Sequence, residues 1–396
     1  LEGFLAVYRS HELVLSSVFN SLLLDHRVNG DLRRFASVIE PRHLENDVPH
    51  DTVEAMMSAT ERHYPDIQQY FRWKAARLGL PRLAVSDVYA PIHTEDEKIP
   101  FPEARELVLR SFADFDPRFA ELAGRFFDER WIDAEVRLGK RHGAFCASHS
   151  PKLHPWVLLS YAGTSRDVST LAHELGHGVH AMLAREQPFL VADAPLVLAE
   201  TASVFAEMLL IDALLRRAST PAAKARILSD FLDEIYGTIF RQNALTRFEL
   251  SAHEARRAGR LSPADLGRLW RSAQSSLFGD AVEIPEIYDA GWSYIPHFIH
   301  SPFYCYSYTF GELLVLALFE LYREEGAAFV PRYVDLLASG GSETPDRLLA
   351  RLGLDVTRPE FWETGFRVVR RFATELAGLD VPRDATAGGA AREARL

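Results

Sequence analysis

The sequence predicts a mainly α-helical fold with one small β region, and three observations carry that prediction. Apolar residues recur at helical spacing along most of the chain. The pattern shortens to strand-like runs only between about 143 and 162. Its 396 residues, 47% hydrophobic and 11% aromatic, suffice for a large core in one big or two intimate domains. The net charge of -11, with acids and bases interspersed, argues against nucleic acid or an anionic membrane as the main partner. No apolar run approaches the roughly 18 residues of a membrane span, and no signal peptide is visible. Two cysteines, Cys146 and Cys305, are too few for a disulfide framework. They fit a reducing cytoplasm and read as small buried hydrophobes.

The chain opens at Leu1 without an initiator Met, already inside an amphipathic pattern (Leu5, Leu13, Val14, Val18, Leu22) with no cap residue before it. We therefore expect the C-terminal part of a longer protein. Helical patterns follow at roughly 32–40, 52–63 and 66–78, the last stopped by Gly79 and Pro81, then near 102–113 and 117–127. Residues 1–130 thus read as a helical lobe. The runs Gly143-Ala-Phe-Cys-Ala-Ser148 and Trp156-Val-Leu-Leu-Ser-Tyr161 are short and bounded by Gly, Pro and polar residues, and predict two antiparallel strands. Further helices are expected near 195–217, 221–257 and 262–277, with a Pro-broken segment at 284–301. Another helix is expected over 302–324, with Ser301 as cap and Pro302 in its first turn. Two terminal helices near 343–352 and 358–379 complete a catalytic domain over 131–382, and 383–396 reads as a disordered tail.

Between strands and later helices lies Thr170-Leu-Ala-His-Glu-Leu-Gly-His-Gly-Val-His180. Four residues on an α-helix turn through about 400°, so His173 and His177 project from one face, one turn apart, and can close on a single metal ion. Glu174 would stand beside that metal, where a carboxylate can take a proton from bound water; the pattern points to a metallopeptidase. Context supports the helix. Asp167 and Ser169 supply cap chemistry upstream, and Leu171, Leu175 and Val179 form an apolar face.

A catalytic zinc site takes a third protein ligand and leaves one position open. Glu200, in Leu198-Ala-Glu-Thr-Ala-Ser-Val-Phe-Ala-Glu207, is on a predicted helix that a turn near Gln187-Pro188 can bring to the metal. Glu207 lies two turns beyond Glu200 on the same face, with Ser203 close to it. It is a candidate to accept the free N–H of a ligand histidine, the alternative being a solvated surface acid. His180, two turns from His173, reads as a packing or outer hydrogen-bonding residue.

The string Asp167-Val-Ser-Thr-Leu-Ala-His-Glu-Leu-Gly-His-Gly-Val-His180 with Ala199-Glu-Thr-Ala-Ser203 resembles the oligoendopeptidase F branch of the thimet-oligopeptidase-like zinc peptidases. Gly139-Lys-Arg-His-Gly-Ala-Phe145, Phe240-Arg-Gln242, Ile295-Pro-His-Phe298 and Pro302-Phe-Tyr-Cys-Tyr-Ser-Tyr308 extend the similarity over nearly the whole chain. The resemblance implies a two-lobed helical fold around a deep channel, with a small sheet beside the zinc helix and an N-terminal lobe incomplete here. It also implies one Zn2+ per chain and cleavage of short peptides inside the cell. By similarity to the family's Tyr/His constellation, His297 and Tyr308 are expected to stabilise the oxyanion on the scissile carbonyl, with Tyr304 as support. A helix from Pro302 would put Tyr304 and Tyr308 on one face and turn Tyr306 away. The piece between His297 and Phe303 is one residue longer than in many members, so His300 could take the place given to His297. The strand Trp156–Tyr161 either covers the zinc helix or, as an edge, pairs with a peptide, which the resemblance favours.

The expected chemistry is endopeptidase cleavage by a metal-activated water, with Glu174 as general base. A dipeptidyl carboxypeptidase with the same ligands would need a cation for a free carboxylate, for which Arg241 is available. A non-catalytic, zinc-stabilised peptide-binding protein would not need Glu174. A helical scaffold with a coincidental motif would bind no zinc.

Overall fold

Five strands of two or three residues are the only extended elements among the described residues, and the remaining regular structure is helical. The computed structural model describes residues 1–92 and 98–379; the tail expected at 383–396 lies outside them. Two compact units are present, Leu1–Ile92 with Leu228–Phe310 and Val369–Leu396, and His93–Ile227 with Gly311–Val368.

The first unit contains the helices Glu2–Ser10, Glu12–Arg33, Glu40–Glu45, His50–Arg62, Tyr64–Arg77, Arg241–Ala258 and Pro263–Phe278. The helix expected at 32–40 does not form. Glu12–Arg33 ends instead at Arg34, which takes a left-handed φ of 61° while the N–H groups of Arg34 and Phe35 close on the carbonyls of Asp31 and Gly30. The segment expected at 221–257 is helical but passes through a π turn, Tyr236–Phe240, before Arg241. Trp270, fully buried, meets Phe248 edge-on at 5.4 Å and anchors the apolar core of this unit. Lys74 is also fully buried, its Nζ 2.6 Å from Asp233 and 2.7 Å from the Val88 carbonyl, so its charge is compensated on both sides.

The helix expected from Pro302 begins only at Tyr306. A single turn, His297–His300, precedes it, and Phe303 adopts φ 57°, which no right-handed helix accommodates.

In the second unit a three-stranded sheet runs in the order Ile132–Asp133, Trp156–Leu158, Phe145–Ala147. Phe145–Ala147 and Trp156–Leu158 pair antiparallel, as expected, with Cys146 opposite Val157. The edge role expected for Trp156–Tyr161 is overturned, because Ile132–Asp133 pairs along its other side. The N–H groups of Val157, Leu159 and Tyr161 bond to the carbonyls of Trp131, Asp133 and Ala134 at 2.9, 3.0 and 2.9 Å. The open edge beside the motif helix is that of Phe145–Ala147. Phe205 centres the aromatic core, with Tyr333 at 4.4 Å and Phe115 at 5.1 Å between ring centroids. Tyr333 belongs to a helix, Phe329–Ala338, that sequence patterning had not suggested.

Candidate metal centre

The histidine motif sits on the helix Ser165–Leu183, whose Val168, Leu171, Leu175, Val179 and Met182 are buried. Its cap is Thr164 rather than Asp167 or Ser169. Thr164 Oγ1 accepts the Asp167 N–H, and the Asp167 carboxylate accepts the Thr164 N–H in return, closing a capping box. Gly176, between the two histidines, is required by a close approach. A Cβ there would stand 2.6 Å from the Ala202 carbonyl oxygen and 2.6 Å from Ser203 Cα, so the helix Thr201–Arg217 lies directly against the motif.

That approach brings Glu200 and Glu207 to the histidines. Glu200 is not inside a helix but at the junction between Leu196–Ala199 and Thr201–Arg217. Tyr333 steadies the junction by donating its hydroxyl to the Thr201 carbonyl at 2.8 Å. Oε2 of Glu200 lies 3.3 Å from Nε2 of both His173 and His177, and one ligand atom from each residue falls within 4.8 Å of the others. Ser203 Oγ donates to the same Oε2 at 2.7 Å. Nδ1 of His173 is 2.5 Å from Oε1 of Glu207, which is buried and not a solvated surface acid.

If His173 gives its Nδ1 proton to Glu207, its Nε2 carries a lone pair that faces the lone pairs of Glu200. Two acceptors at such a distance require a positive charge between or upon them. In the bare protein the charge goes on the ring: burial disfavours it, but Glu200 and Glu207 raise the His173 imidazole well above its ordinary value. Burial likewise opposes charge on Glu200, yet hydrogen bonds from His173 and His177 hold its carboxyl well below the usual range. Two imidazole nitrogens and one carboxylate oxygen form a donor set that fits zinc.

Glu174 is buried, and its Oε2 has no hydrogen-bond partner among the described residues. Burial raises its carboxyl above the ordinary value, while the charges of His173 and His177 pull the other way. A cleft of about 380 Å³ joins Glu174 and the three candidate ligands to Phe145, Cys146 and Asp193. No lysine or arginine is among the described residues lining it. Burial, helped by Glu174, pushes the Cys146 thiol up to about 12, so it is an inert wall of the cleft.

His180 is buried and hydrogen-bonded with the Leu337 backbone; burial lowers its pKa to about 4, which makes it a neutral packing residue. Sequence reasoning missed Glu312. This buried acid sits near enough to Glu207, His173 and Glu200 to feel their charges, and burial first, then Glu207, raises it to about 8. Its signal was a lone acid in the apolar run Phe310 to Phe319.

His297, Tyr304 and Tyr308 belong to the first unit and cluster there. The His297 ring stacks on Tyr304 at 5.6 Å, Tyr304 meets Tyr308 edge-on at 5.2 Å, and His297 Nε2 lies 3.4 Å from the Tyr308 hydroxyl. Burial, then the nearby Arg241, lowers the His297 pKa, so the ring is neutral at pH 7. His300 is exposed, whereas His297 is half-buried. Tyr306 is fully buried and hydrogen-bonded to Asn46 and His43 at 2.7 and 3.2 Å, on a different side from the other two tyrosines. Arg241 is hydrogen-bonded to Tyr294 and lies among Tyr236 and Tyr89.

No described helix is long and apolar enough to cross a membrane. The profile of Peptidase family M3 matches residues 4–368. The chain is 29% identical over 357 residues to the chromosomal oligoendopeptidase F of Lactococcus lactis subsp. cremoris, covering 89% of the chain and 59% of that protein. A crystallised peptidase from Chlamydophila abortus superposes with a TM-score of 0.87 at 30% identity, over 95% of this chain and 63% of that one. Oligoendopeptidase-F from Enterococcus faecium shares the fold at a TM-score of 0.75 and 22% identity, over 95% and 62%. The chain spans less than two thirds of the length of each of these proteins. With one family profile running from residue 4 to 368 and these likenesses beside it, the chain belongs to peptidase family M3, on its oligoendopeptidase F branch.

Proposed function

We propose that the chain is the catalytic part of a zinc-dependent endopeptidase that hydrolyses short oligopeptides in the cytoplasm. The observation that carries this reading is the meeting of His173, His177 and Glu200 around a point that demands positive charge, with Glu174, whose Oε2 has no hydrogen-bond partner among the described residues, in the same cleft. One zinc per chain would be held by those three side chains. When bound, zinc supplies Lewis acidity, which brings the pKa of a coordinated water to about 7 and polarises the scissile carbonyl.

The rest is done by the chain's own groups. Glu174 accepts the proton of the attacking water and later delivers it to the departing amine; its burial makes it a stronger base than an exposed carboxylate. Glu207 holds His173 in the tautomer whose Nε2 can ligate. The open edge of Phe145–Ala147, which lines the cleft, offers backbone N–H and C=O groups to an extended peptide. Tyr308, supported by Tyr304 and a neutral His297, donates to the carbonyl oxygen as it gains negative charge; the family resemblance supports this role.

An exopeptidase that reads a free carboxyl terminus needs a cation to hold that carboxylate, and the family resemblance favours internal cleavage. Short peptides blocked at both ends should therefore be cut internally, as read by mass spectrometry of the products, and chelation should stop the cutting. Cleavage confined to peptides with a free carboxyl terminus would overturn the endopeptidase reading in favour of the carboxypeptidase one.

The Tyr308 role has its own test. Tyr308→Phe should lower kcat by about 10² to 10³ with little change in KM, the loss of one oxyanion donor. Tyr306→Phe, which removes a buried hydrogen-bonded hydroxyl, should cost roughly 1 kcal/mol of stability and leave turnover per folded molecule intact. Equal small rate effects at both positions would remove Tyr308 from the chemistry.

A further inference from the structure

The turn Ser301–Tyr304 is held by two remote parts of the first unit. Phe303 adopts φ 57°, a left-handed conformation that a bulky L residue rarely takes and that persists only where its surroundings over-determine it. Its N–H donates to Oε1 of Glu249 at 2.9 Å, and the Pro302 carbonyl accepts from Nε of Arg42 at 3.1 Å. The Phe303 ring is fully buried against His253, 4.7 Å away between centroids. Tyr304 then follows at once, with its ring packed on His297 and Tyr308 and the Arg42 guanidinium 5.8 Å from its centroid.

Glu249 is 1% exposed, and its Oε2 has no hydrogen-bond partner among the described residues. Burial pushes its carboxyl up to about 8, against the pull of the Phe303 N–H and Arg42, so it stands largely protonated at pH 7. A buried acid whose hydrogen bond goes to one peptide N–H is a costly way to fill space, since an apolar side chain would pack there without desolvation loss. What an apolar side chain could not do is accept the Phe303 N–H.

We propose that Glu249 is a positioning residue of the peptidase reaction: it fixes the left-handed turn at Phe303 and thereby presents Tyr304 and Tyr308 beside His297. The proposal rests on the role given above to Tyr308. Glu249 touches no reacting atom and acts through the turn alone. Glutamine keeps the acceptor and matches the neutral acid in size. Leucine keeps the bulk and loses the acceptor.

Glu249→Leu, Glu249→Gln, Tyr308→Phe and the double variant Glu249→Leu/Tyr308→Phe would be compared in the full chain on a blocked peptide, with zinc content and thermal melting measured for each. Glu249→Leu should lower kcat by about 10- to 10²-fold at nearly constant KM and zinc content, the scale expected when a donor is displaced by an ångström or less. Glu249→Gln should stay within about 3-fold of the native kcat. In the Tyr308→Phe background, Glu249→Leu should cost less than about 2-fold more, because both changes remove the same donor. Native turnover per folded Glu249→Leu molecule, or full multiplication of the two single effects, overturns the proposal. Should Glu249→Leu fail to fold, Arg42→Met, which frees the Pro302 carbonyl, must show the same loss in kcat, and native turnover in that variant overturns it equally. If Tyr308→Phe is itself fully active, the oxyanion role is what fails, and the contrast in kcat between leucine and glutamine at 249 then decides the positioning role by itself.

Discussion

Glu174→Gln should retain zinc, fold and melting temperature while losing hydrolysis by about 10² to 10⁴, the range that a general base contributes. An amide is isosteric with the carboxylate but cannot accept the proton of the attacking water at neutral pH. The burial of Glu174 sharpens the test. Among the described residues its Oε2 makes no hydrogen bond that the amide would break, so the substitution changes proton affinity with little effect on packing. Removing a buried charge also spares the desolvation that raises its pKa, so the variant should melt no lower than the native chain. A zinc-loaded Glu174→Gln protein with native kcat would exclude Glu174 as the base.

The second large effect is expected at Glu200. Glu200→Ala should weaken zinc binding by more than about 10²-fold, beyond the 10- to 100-fold that loss of an outer hydrogen-bond partner costs, and should remove activity at limiting zinc. Glu207→Gln is the control, since it disturbs only the hydrogen bond that orients His173. The order of the two effects follows from geometry: Glu200 Oε2 faces both Nε2 atoms, whereas Glu207 faces the other side of one ring. Chelator competition would read both affinities, and a weaker effect at Glu200 than at Glu207 would exchange their assigned roles. Ser203, which donates to the Glu200 carboxylate, keeps only the Glu200 backbone carbonyl as acceptor in Glu200→Ala, so stability should change little while metal is lost.

The local part of this site was legible from sequence, and the long-range part only where a helical repeat or the resemblance pointed to it. His173, Glu174 and His177 are related by helix geometry alone, so their spacing stated their arrangement. Glu207 was found because it repeats at helical spacing from Glu200, although Glu200 proved to occupy a break between two helices. Glu312 escaped, since its closeness to Glu207 depends on how helices distant in sequence pack. The failures in the fold have the same origin. Helix ends at Arg34 and before Tyr306 are set by left-handed residues that no residue type announced, neither being glycine or asparagine. Phe303 in particular is held by Arg42 and Glu249, so the start of its helix was written in parts of the chain far from it. The resemblance favoured Trp156–Tyr161 as an edge, and nothing in the sequence opposed it, because the parallel partner Ile132–Asp133 is only two residues long and too short to leave a periodic signature.

Gly176 gives the candidate ligands a fixed register. With no side chain at that position, the backbone of Ala202 and Ser203 rests on the motif helix, and neither helix can slide by a residue without driving a Cβ into the other. The entropy of bringing two histidines and a glutamate together is therefore spent when the helices pack, before any metal arrives. On the reading proposed above, metal capture would be an event of coordination and proton release rather than of folding, and zinc would exchange from a scaffold that keeps its shape.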